Sequence, residues 1–234
     1  MSVLEPNSLS LDKSEWDLTR LGDLASDVND RVATPEDSEH GRFVGLEHFV
    51  SGDLQLKSWQ STEGLVSAAK AFRSGDILFA RRNAYLKRAS MVDFDGVCSG
   101  DAFVLRENHN AVVPGFLAFV MNSEGLWRYA ISNAAGTMSK RVKWRDLSNY
   151  RFLLPPRKQQ AKLAELLWAA DSEDESLRVA EEALESTKDS IFKELTNKLD
   201  HKYEQKVSTL LRHGPTNGYS PKSSEDGTSY TVSI

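Results

Sequence analysis

Short apolar segments separated by turn residues predict β-strands in the middle of the chain. The first is Ile77–Ala80, which follows a Gly-Asp turn and is short enough to be a buried strand. A second strand is predicted over residues 91–94, just before an Asp-Gly turn, and a third over residues 102–105. We therefore expect a β-sheet at the centre of the fold.

The spacing of apolar residues becomes helical after Pro114, a residue that suits the first turn of a helix. An apolar stripe at this spacing usually faces a core, so we expect this region to pack on the sheet, with Gly125 dividing it into two pieces. A last strand is predicted over residues 152–154, where two prolines end it. The apolar positions of the helical region are Phe116, Leu117, Phe119, Val120, Leu126, Trp127, Tyr129, Ala130 and Ile131.

A long helix is predicted over residues 157–206, because residues 157–213 contain neither Gly nor Pro. Its apolar residues recur at steps of three and four, and Leu177, Leu184 and Ile191 are one heptad apart. A helix of this length cannot bury its stripe on so small a domain, and the sequence has no second long helical segment. The stripe therefore predicts a coiled coil with another copy of the chain, with a different subunit, or with both. Its predicted contact residues are Leu163, Leu166, Leu167, Ala170, Leu177, Ala180, Leu184, Ile191 and Leu195.

Two polar, basic segments interrupt the apolar pattern. Arginine forks and amides read the edges of bases, and cations hold phosphates, so both segments are candidate DNA contacts. The second segment also contains Trp144, which is either a stacking residue or a core residue at the start of a short helix. The candidates are Arg81, Arg82, Asn83, Tyr85, Lys87 and Arg88 in the first segment, and Thr137, Ser139, Lys140, Arg141 and Lys143 in the second.

Charge is unevenly distributed along the 234 residues. The net charge of −5 argues against a uniformly basic nucleic-acid binder. Residues 70–151, however, hold 13 Lys or Arg against 7 Asp or Glu, whereas residues 1–69 hold 5 against 13. Because the local field governs the binding of a polyanion, a basic middle region remains compatible with DNA binding. The alternative is that these mixed charges only solvate a face.

The sequence indicates an intracellular protein without a membrane span. Cys98 is the only cysteine, so a disulfide within one chain is impossible, which fits a reducing cytoplasm. The first residues lack the pattern of a signal peptide. No apolar run approaches the length needed to cross a bilayer.

No catalytic motif in the sequence has the structural context that its chemistry needs. The five histidines lack metal-ligand spacing, so no metal site is predicted. Residues 96–100 match a nucleophile elbow, but a strand is predicted where that motif requires a helix. Glu204 and Lys206 have the E-x-K form of many nucleases but lie at a helix end. Phosphate-binding loops and the Asn/Asp-Pro-Pro-aromatic motif of amino-methyltransferases are also missing from the sequence. We therefore expect a binding protein and not an enzyme.

Several segments together resemble the specificity subunit of a type I restriction–modification system. The resemblance covers roughly residues 15–200, and its combination of motifs is specific although each motif alone is weak. The segments are GDILFARRNAYLKR, DFDGVCSGDAFVL, GTMSKRVKWRDLSNYRFLLPP, and the Gln159-Gln160 pair that precedes the leucine-rich helix.

The resemblance implies an α+β fold, with a globular mixed α/β target-recognition domain followed by a long coiled-coil-forming helix. It implies a DNA target-recognition domain (15–156) and a helix for dimerisation and methyltransferase docking (157–206). The residues outside these segments predict a flexible lead-in (1–14) and a disordered tail (207–234), the end of which is poor in apolar side chains and rich in turn residues. Full subunits of the family carry two recognition domains and two helical regions. This sequence shows one of each, which resembles a half-subunit that pairs into a homodimer. The alternatives are a half-subunit that works alone and a truncated piece of a full subunit.

The resemblance also implies partners: double-stranded DNA, methyltransferase subunits and an ATP-driven restriction subunit. S-adenosylmethionine and ATP would bind to those partners, and no cofactor is expected in this chain. The alternative function is a helical adaptor that joins the subunits of a DNA-modification complex without reading DNA itself.

Overall fold

Along the chain, β-strands alternate with short helices, and a long helix follows them. The computed structural model describes residues 12–200, and their side chains up to residue 197. Most of the predicted lead-in and all of the predicted tail lie outside the described residues. The strands are β1 (Asp17–Arg20), β2 (Ala25–Asp27), β3 (Arg31–Val32), β4 (Arg42–Val44), β5 (Gln60–Ser61), β6 (Ala69–Phe72), β7 (Ile77–Ala80), β8 (Ala89–Met91), β9 (Gly96–Cys98), β10 (Ala102–Glu107) and β11 (Arg151–Leu154). The helices are α1 (Leu21–Leu24), α2 (Phe116–Met121), α3 (Glu124–Ser132), α4 (Trp144–Leu147) and α5 (Arg157–Asp200). The predicted α+β class is confirmed.

A four-stranded antiparallel sheet, in the order β2-β10-β7-β8, forms the predicted centre. All four residues of β7 are buried, as its uninterrupted apolar run predicts. The next strand, β8, lies earlier in the chain than the prediction of residues 91–94. It contains Ser90, which is polar yet buried. The Ser90 hydroxyl is satisfied in the interior because it donates to the carbonyl of Asp53 at 2.7 Å. The prediction missed this start because it followed apolar residues alone.

A five-stranded sheet, in the order β3-β6-β9-β4-β5, contains the central strand β9 that the sequence did not predict. Gly96 opens β9 at a close approach of two segments. A Cβ atom at this position would lie 2.7 Å from the carbonyl oxygen of Arg42 and 2.8 Å from the ring of Phe72. The glycine that suggested a turn is therefore a residue that allows two neighbouring segments to meet.

The two helices α2 and α3 pack on the central sheet through Leu117, Met121, Leu126 and Trp127, all buried. The Trp127 ring stacks on Phe79 of β7, with ring centroids 4.9 Å apart. The helical region divides at residues 122–123 and not at the predicted glycine. Ser123 caps α3 by accepting a hydrogen bond from the backbone N–H of Leu126. Gly125 is inside the first turn of α3, where a Cβ would lie 2.8 Å from the Tyr150 hydroxyl oxygen.

The chain divides into two units at residue 175, so the beginning of α5 belongs with the globular part. Gln160 is 1% exposed and Ala164 is buried. Trp168 packs edge-on against Phe119, with centroids 5.0 Å apart, and donates to the carbonyl of Gly115 at 3.2 Å. Leu163 also packs against this core. The spacing of four residues between Gln160, Ala164 and Trp168 defines the helix face that joins the globular domain.

The second unit begins at Ser176, and its described part is the remainder of α5. The apolar side chains of this segment are exposed, including Leu177, Leu184, Ile191 and Leu195 of the predicted stripe. Phe192, which the predicted set omitted, is exposed as well. Within residues 12–200, no helix is both long and apolar enough to span a bilayer.

Candidate nucleic-acid interface

The first basic segment, residues 81–88, connects β7 to β8 and is named here the first loop. A 3-10 turn over Ala84–Leu86 shapes it. Asn83 and Lys87 flank this turn with φ angles of 55° and 48°, in the left-handed region that non-glycine residues adopt infrequently. The loop is fixed at both ends because β7 and β8, which it connects, are paired in the sheet. Backbone positions held in such strained conformations often occur at functional sites.

The second basic segment, residues 134–145, lies directly beside the first and is named here the second loop. The second loop folds back on itself, because Ala135 and Arg141 exchange backbone hydrogen bonds of 3.0 and 2.9 Å. The N–H of Asn83 donates to the carbonyl of Lys140 at 3.0 Å, and the N–H of Val142 donates to that of Arg81 at 2.9 Å. Two segments more than 40 residues apart in sequence therefore form one continuous surface.

Asp101 lies where these loops meet, and sequence reasoning did not identify it. The guanidinium of Arg141 donates to both of its oxygens, from Nε at 2.7 Å and from Nη2 at 3.1 Å. Arg81 Nε and Arg82 Nη1 each lie 3.7 Å from an oxygen of the same carboxylate. The hydrogen bonds from Arg141 keep the pKa of Asp101 below its ordinary value, so this carboxylate is ionised at neutral pH.

A pocket of about 400 Å³ opens between the two loops. Its lining combines an amide, a phenol, a hydroxyl and an ammonium group with several apolar side chains. The side chains of Tyr85 and Met138 are 64% and 97% exposed, so they contribute little to the hydrophobic core. The lining residues are Asn83, Ala84, Tyr85, Ile131, Ala134, Thr137, Met138 and Lys140. Ile131 and Met138 were not among the predicted contacts, because an apolar residue carries no signal for DNA binding in sequence.

Some predicted contact residues have roles within the fold. Arg88 is half-buried, donates to the carbonyl of Leu46 at 2.9 Å, and has a lowered pKa because of its burial. Lys87 pairs with Glu124 at 2.6 Å. Ser139 accepts a hydrogen bond from Arg82 Nη2 at 3.2 Å. These residues shape or support the surface, whereas Thr137, Lys140 and Lys143 are exposed on it.

Trp144 contacts the core, which favours the second of its two predicted roles. It is the first residue of α4, and its ring meets Phe103 edge-on with centroids 6.1 Å apart. A side chain held in this way anchors the end of the second loop.

Cys98 has the geometry of a structural residue. It is the last residue of β9, fully buried, and burial raises the pKa of its thiol to about 12. A thiol in this state is a poor nucleophile. Among the described residues, no three His, Cys, Asp or Glu side chains converge as a metal site would require.

Comparisons with known proteins show what the chain as a whole is similar to. No family model matches the chain. It is 22% identical over 152 residues to the Escherichia coli type I restriction enzyme EcoDI specificity subunit, a match that covers 64% of this chain and 33% of that protein. The chain therefore spans about a third of the length of this curated relative.

Solved structures give the same result. A chain from a study of complex assembly and conformational transition in the type I restriction–modification system has a TM-score of 0.61 and 26% identity, covering 82% of this chain and 51% of that one. The HsdS subunit from Thermoanaerobacter tengcongensis has a TM-score of 0.58 and 25% identity, covering 75% of this chain and 47% of its own. The S subunit from M. genitalium, at 14% identity and a TM-score of 0.55, covers 85% of this chain and 49% of its own and supports the fold alone.

Proposed function

Because the chain is related to the specificity subunits of type I restriction–modification systems, we propose that it recognises a specific DNA sequence and directs methyltransferase subunits to it. The observation that carries the proposal is the joining of the two basic loops into one surface. Sequence-specific reading needs several donors held in fixed relative positions, and the backbone pairing of Asn83 with Lys140 supports this. The chain itself is proposed to be non-catalytic.

We assign two kinds of contact to this surface. Arg81, Arg82 and Arg141 present guanidinium forks that match the acceptors of guanine, and Asn83 presents an amide that matches adenine. Lys140 and Lys143 are exposed cations suited to phosphates, as is the hydroxyl of Thr137. Tyr85 and Met138 offer apolar surface for contact with a base or a thymine methyl group. Lys87, Arg88 and Ser139 act by supporting the loops.

The exposed apolar positions of α5 after residue 175 support a proposal about partners. Leu177, Leu184 and Ile191 are each more than half exposed, and a stripe of this kind is stable only when another surface covers it. We propose that a second copy of the chain supplies that surface and that methyltransferase subunits dock on the resulting helical region. A restriction subunit completes the proposed assembly, which would operate in the cytoplasm with S-adenosylmethionine and ATP bound to the partners.

Substitutions in the loops test DNA recognition in the complex with the methyltransferase subunit. Arg82→Ala should cost about 1–3 kcal/mol of binding on the target duplex and relax discrimination at one position. Lys140→Ala should weaken binding to all sequences alike and reduce the salt slope by about one. Arg20→Ala is the matched control. Arg20 is the last residue of β1, pairs with Asp23 of α1 at 2.7 Å, and belongs to neither loop. Unchanged affinity and salt dependence in both loop variants would refute the assignment.

A second candidate, an adaptor that joins subunits without contacting DNA, is favoured by the same exposed stripe on α5. The two functions differ in one measurement. A gel-shift titration of random-sequence DNA compares the methyltransferase subunit alone with the complex that contains this chain. An adaptor should leave the affinity of the methyltransferase unchanged, whereas a DNA-reading subunit should increase it.

A further inference from the structure

One carboxylate attracts three arginines that come from both loops. Asp101 accepts two hydrogen bonds from Arg141 of the second loop, and Arg81 and Arg82 of the first loop lie 3.7 Å away. We propose that Asp101 is a positioning residue that sets the specificity of DNA recognition: it orients these arginines toward bases and offsets part of their charge. This inference rests on the proposed function and adds to it the residue that governs discrimination between sequences.

The orientation of the Arg141 fork follows from its hydrogen bonds. Asp101 occupies the side edge of the guanidinium, formed by Nε and Nη2. A guanidinium has five N–H donors, so the end edge, with Nη1 and the second hydrogen of Nη2, still has donors for a base. A bidentate pair also fixes the plane of the guanidinium, which a single contact does not do. Asp101 thereby prepares a planar fork before DNA arrives.

Asp101 is itself held in place by the backbone. Its N–H donates to the hydroxyl oxygen of Ser99 at 3.2 Å, and its carbonyl accepts from the N–H of Arg81 at 3.0 Å. The carboxylate is therefore tied to the first loop through the main chain and to the second loop through Arg141. A side chain that connects both loops can transmit the position of one to the other.

The negative charge of Asp101 has a separate consequence. Phosphates attract any nearby cation regardless of sequence, and this attraction dominates non-specific binding. One carboxylate among three guanidinium groups reduces that attraction without removing the donors that read bases. Asp101 should therefore act in opposite directions on two affinities, favouring the target and disfavouring random DNA.

The test is Asp101→Asn in the full chain with its methyltransferase subunit, on a target duplex and on a scrambled duplex across a salt series. Loss of the ordered fork should weaken target binding by about 5- to 150-fold, the range expected when one base-reading arginine is lost. Binding to the scrambled duplex should stay the same or become tighter, because a negative charge is removed. The ratio of the two affinities therefore falls.

Two further variants make the outcome decisive. Asp23→Asn removes the same charge from a bidentate pair with Arg20 outside both loops, and it should leave the ratio unchanged. Arg141→Lys keeps the positive charge but lacks the fork, so it should lower target affinity while leaving scrambled binding unchanged, even if Asp101→Asn does not fold.

Parallel weakening on both duplexes, or an unchanged ratio in Asp101→Asn and Arg141→Lys, would overturn the positioning role. This result is distinguishable from failure of the proposed function. If the proposed function were wrong, the wild-type complex itself would bind target and scrambled duplexes with equal affinity. The inference about Asp101 would then fail together with the proposed function.

Discussion

Glu107 shows how one buried carboxylate organises the end of a helix. Its oxygens accept hydrogen bonds from the backbone N–H groups of Gly115 and Leu117, at 2.8 and 3.0 Å, where α2 begins. His109 Nε2 lies 3.4 Å from the same carboxylate. Burial nevertheless outweighs these contacts and raises the pKa of Glu107 above its ordinary value.

The raised pKa predicts a pH dependence of stability. Because folding favours the neutral form, the stability that Glu107 contributes is complete below its ordinary pKa of 4.5 and is lost as the pH rises through the folded pKa. Glu107→Gln removes this titration. The free energy of unfolding of the wild type, relative to the variant, should therefore fall as the pH rises above the ordinary pKa of 4.5, when measured by urea denaturation. Parallel pH profiles for the two proteins would contradict this role.

Individual residues also show what the sequence could reveal about the site. It singled out two separate basic segments, because arginine, lysine and amide groups are concentrated in them. It did not predict that the fold joins these segments into one surface. It did not separate Arg88, whose guanidinium donates to the carbonyl of Leu46, from Arg82, because both are arginines and differ in the partners that the fold gives them. It also missed Asp101, because the value of an acidic residue there depends on arginines brought near it by the fold.

Among the secondary structure elements, α5 has two different environments along its length. Gln160, in its first turn, accepts a hydrogen bond from the N–H of Val113 at 2.9 Å and donates to the carbonyl of Pro155 at 2.8 Å. Its side chain is buried, so these bonds are shielded from water. The first turns of α5 are thus part of the globular domain, although Leu166 and Leu167 of the predicted stripe are exposed there too.

We expect Gln160→Ala to destabilise the globular domain by about 1–3 kcal/mol, because it leaves the Val113 N–H and the Pro155 carbonyl without their buried partner. Chemical denaturation followed by tryptophan fluorescence would measure this change. Lys162→Ala is the matched control on the same helix, since Lys162 is exposed, and should change stability by no more than about 0.5 kcal/mol. Equal stability of the two variants would mean that the Gln160 bonds contribute nothing.

The pattern of apolar residues predicted some secondary structure elements and missed others. The strand β7 follows from its apolar run, because it is buried on both faces. The helix α5 follows from apolar steps of three and four in a segment without Gly or Pro. The strand β9 has only three residues, Gly96–Cys98, and begins with glycine, so its local preference indicates a turn. Its neighbours β4 and β6 decide its conformation, and these contacts are visible only in the fold.

For the assembled protein, the exposed face of α5 beyond residue 175 determines the expected oligomeric state. Leu184 and Ile191 are 68% and 54% exposed. Leu184→Lys with Ile191→Lys should reduce association, because charges would occupy the proposed interface. Light scattering should show a lower molar mass, while the stability of the globular domain is unchanged. Glu182→Lys is the control, as Glu182 lies about 200° around the helix from Leu184 at 3.6 residues per turn. A wild-type chain that is monomeric at all concentrations would contradict the homodimer.

The symmetry of the proposed dimer predicts the form of its DNA target. Two copies related by a twofold axis present the same joined loops, with Arg82 and Asn83 in each, so they read the same short sequence twice in opposite directions. The target should consist of two inverted, identical half-sites separated by a spacer of constant length. Mapping methylated bases in cells that express this chain with its methyltransferase would show the motif. An asymmetric bipartite motif would exclude two copies of one reading surface and would require a second, different recognition domain in the complex.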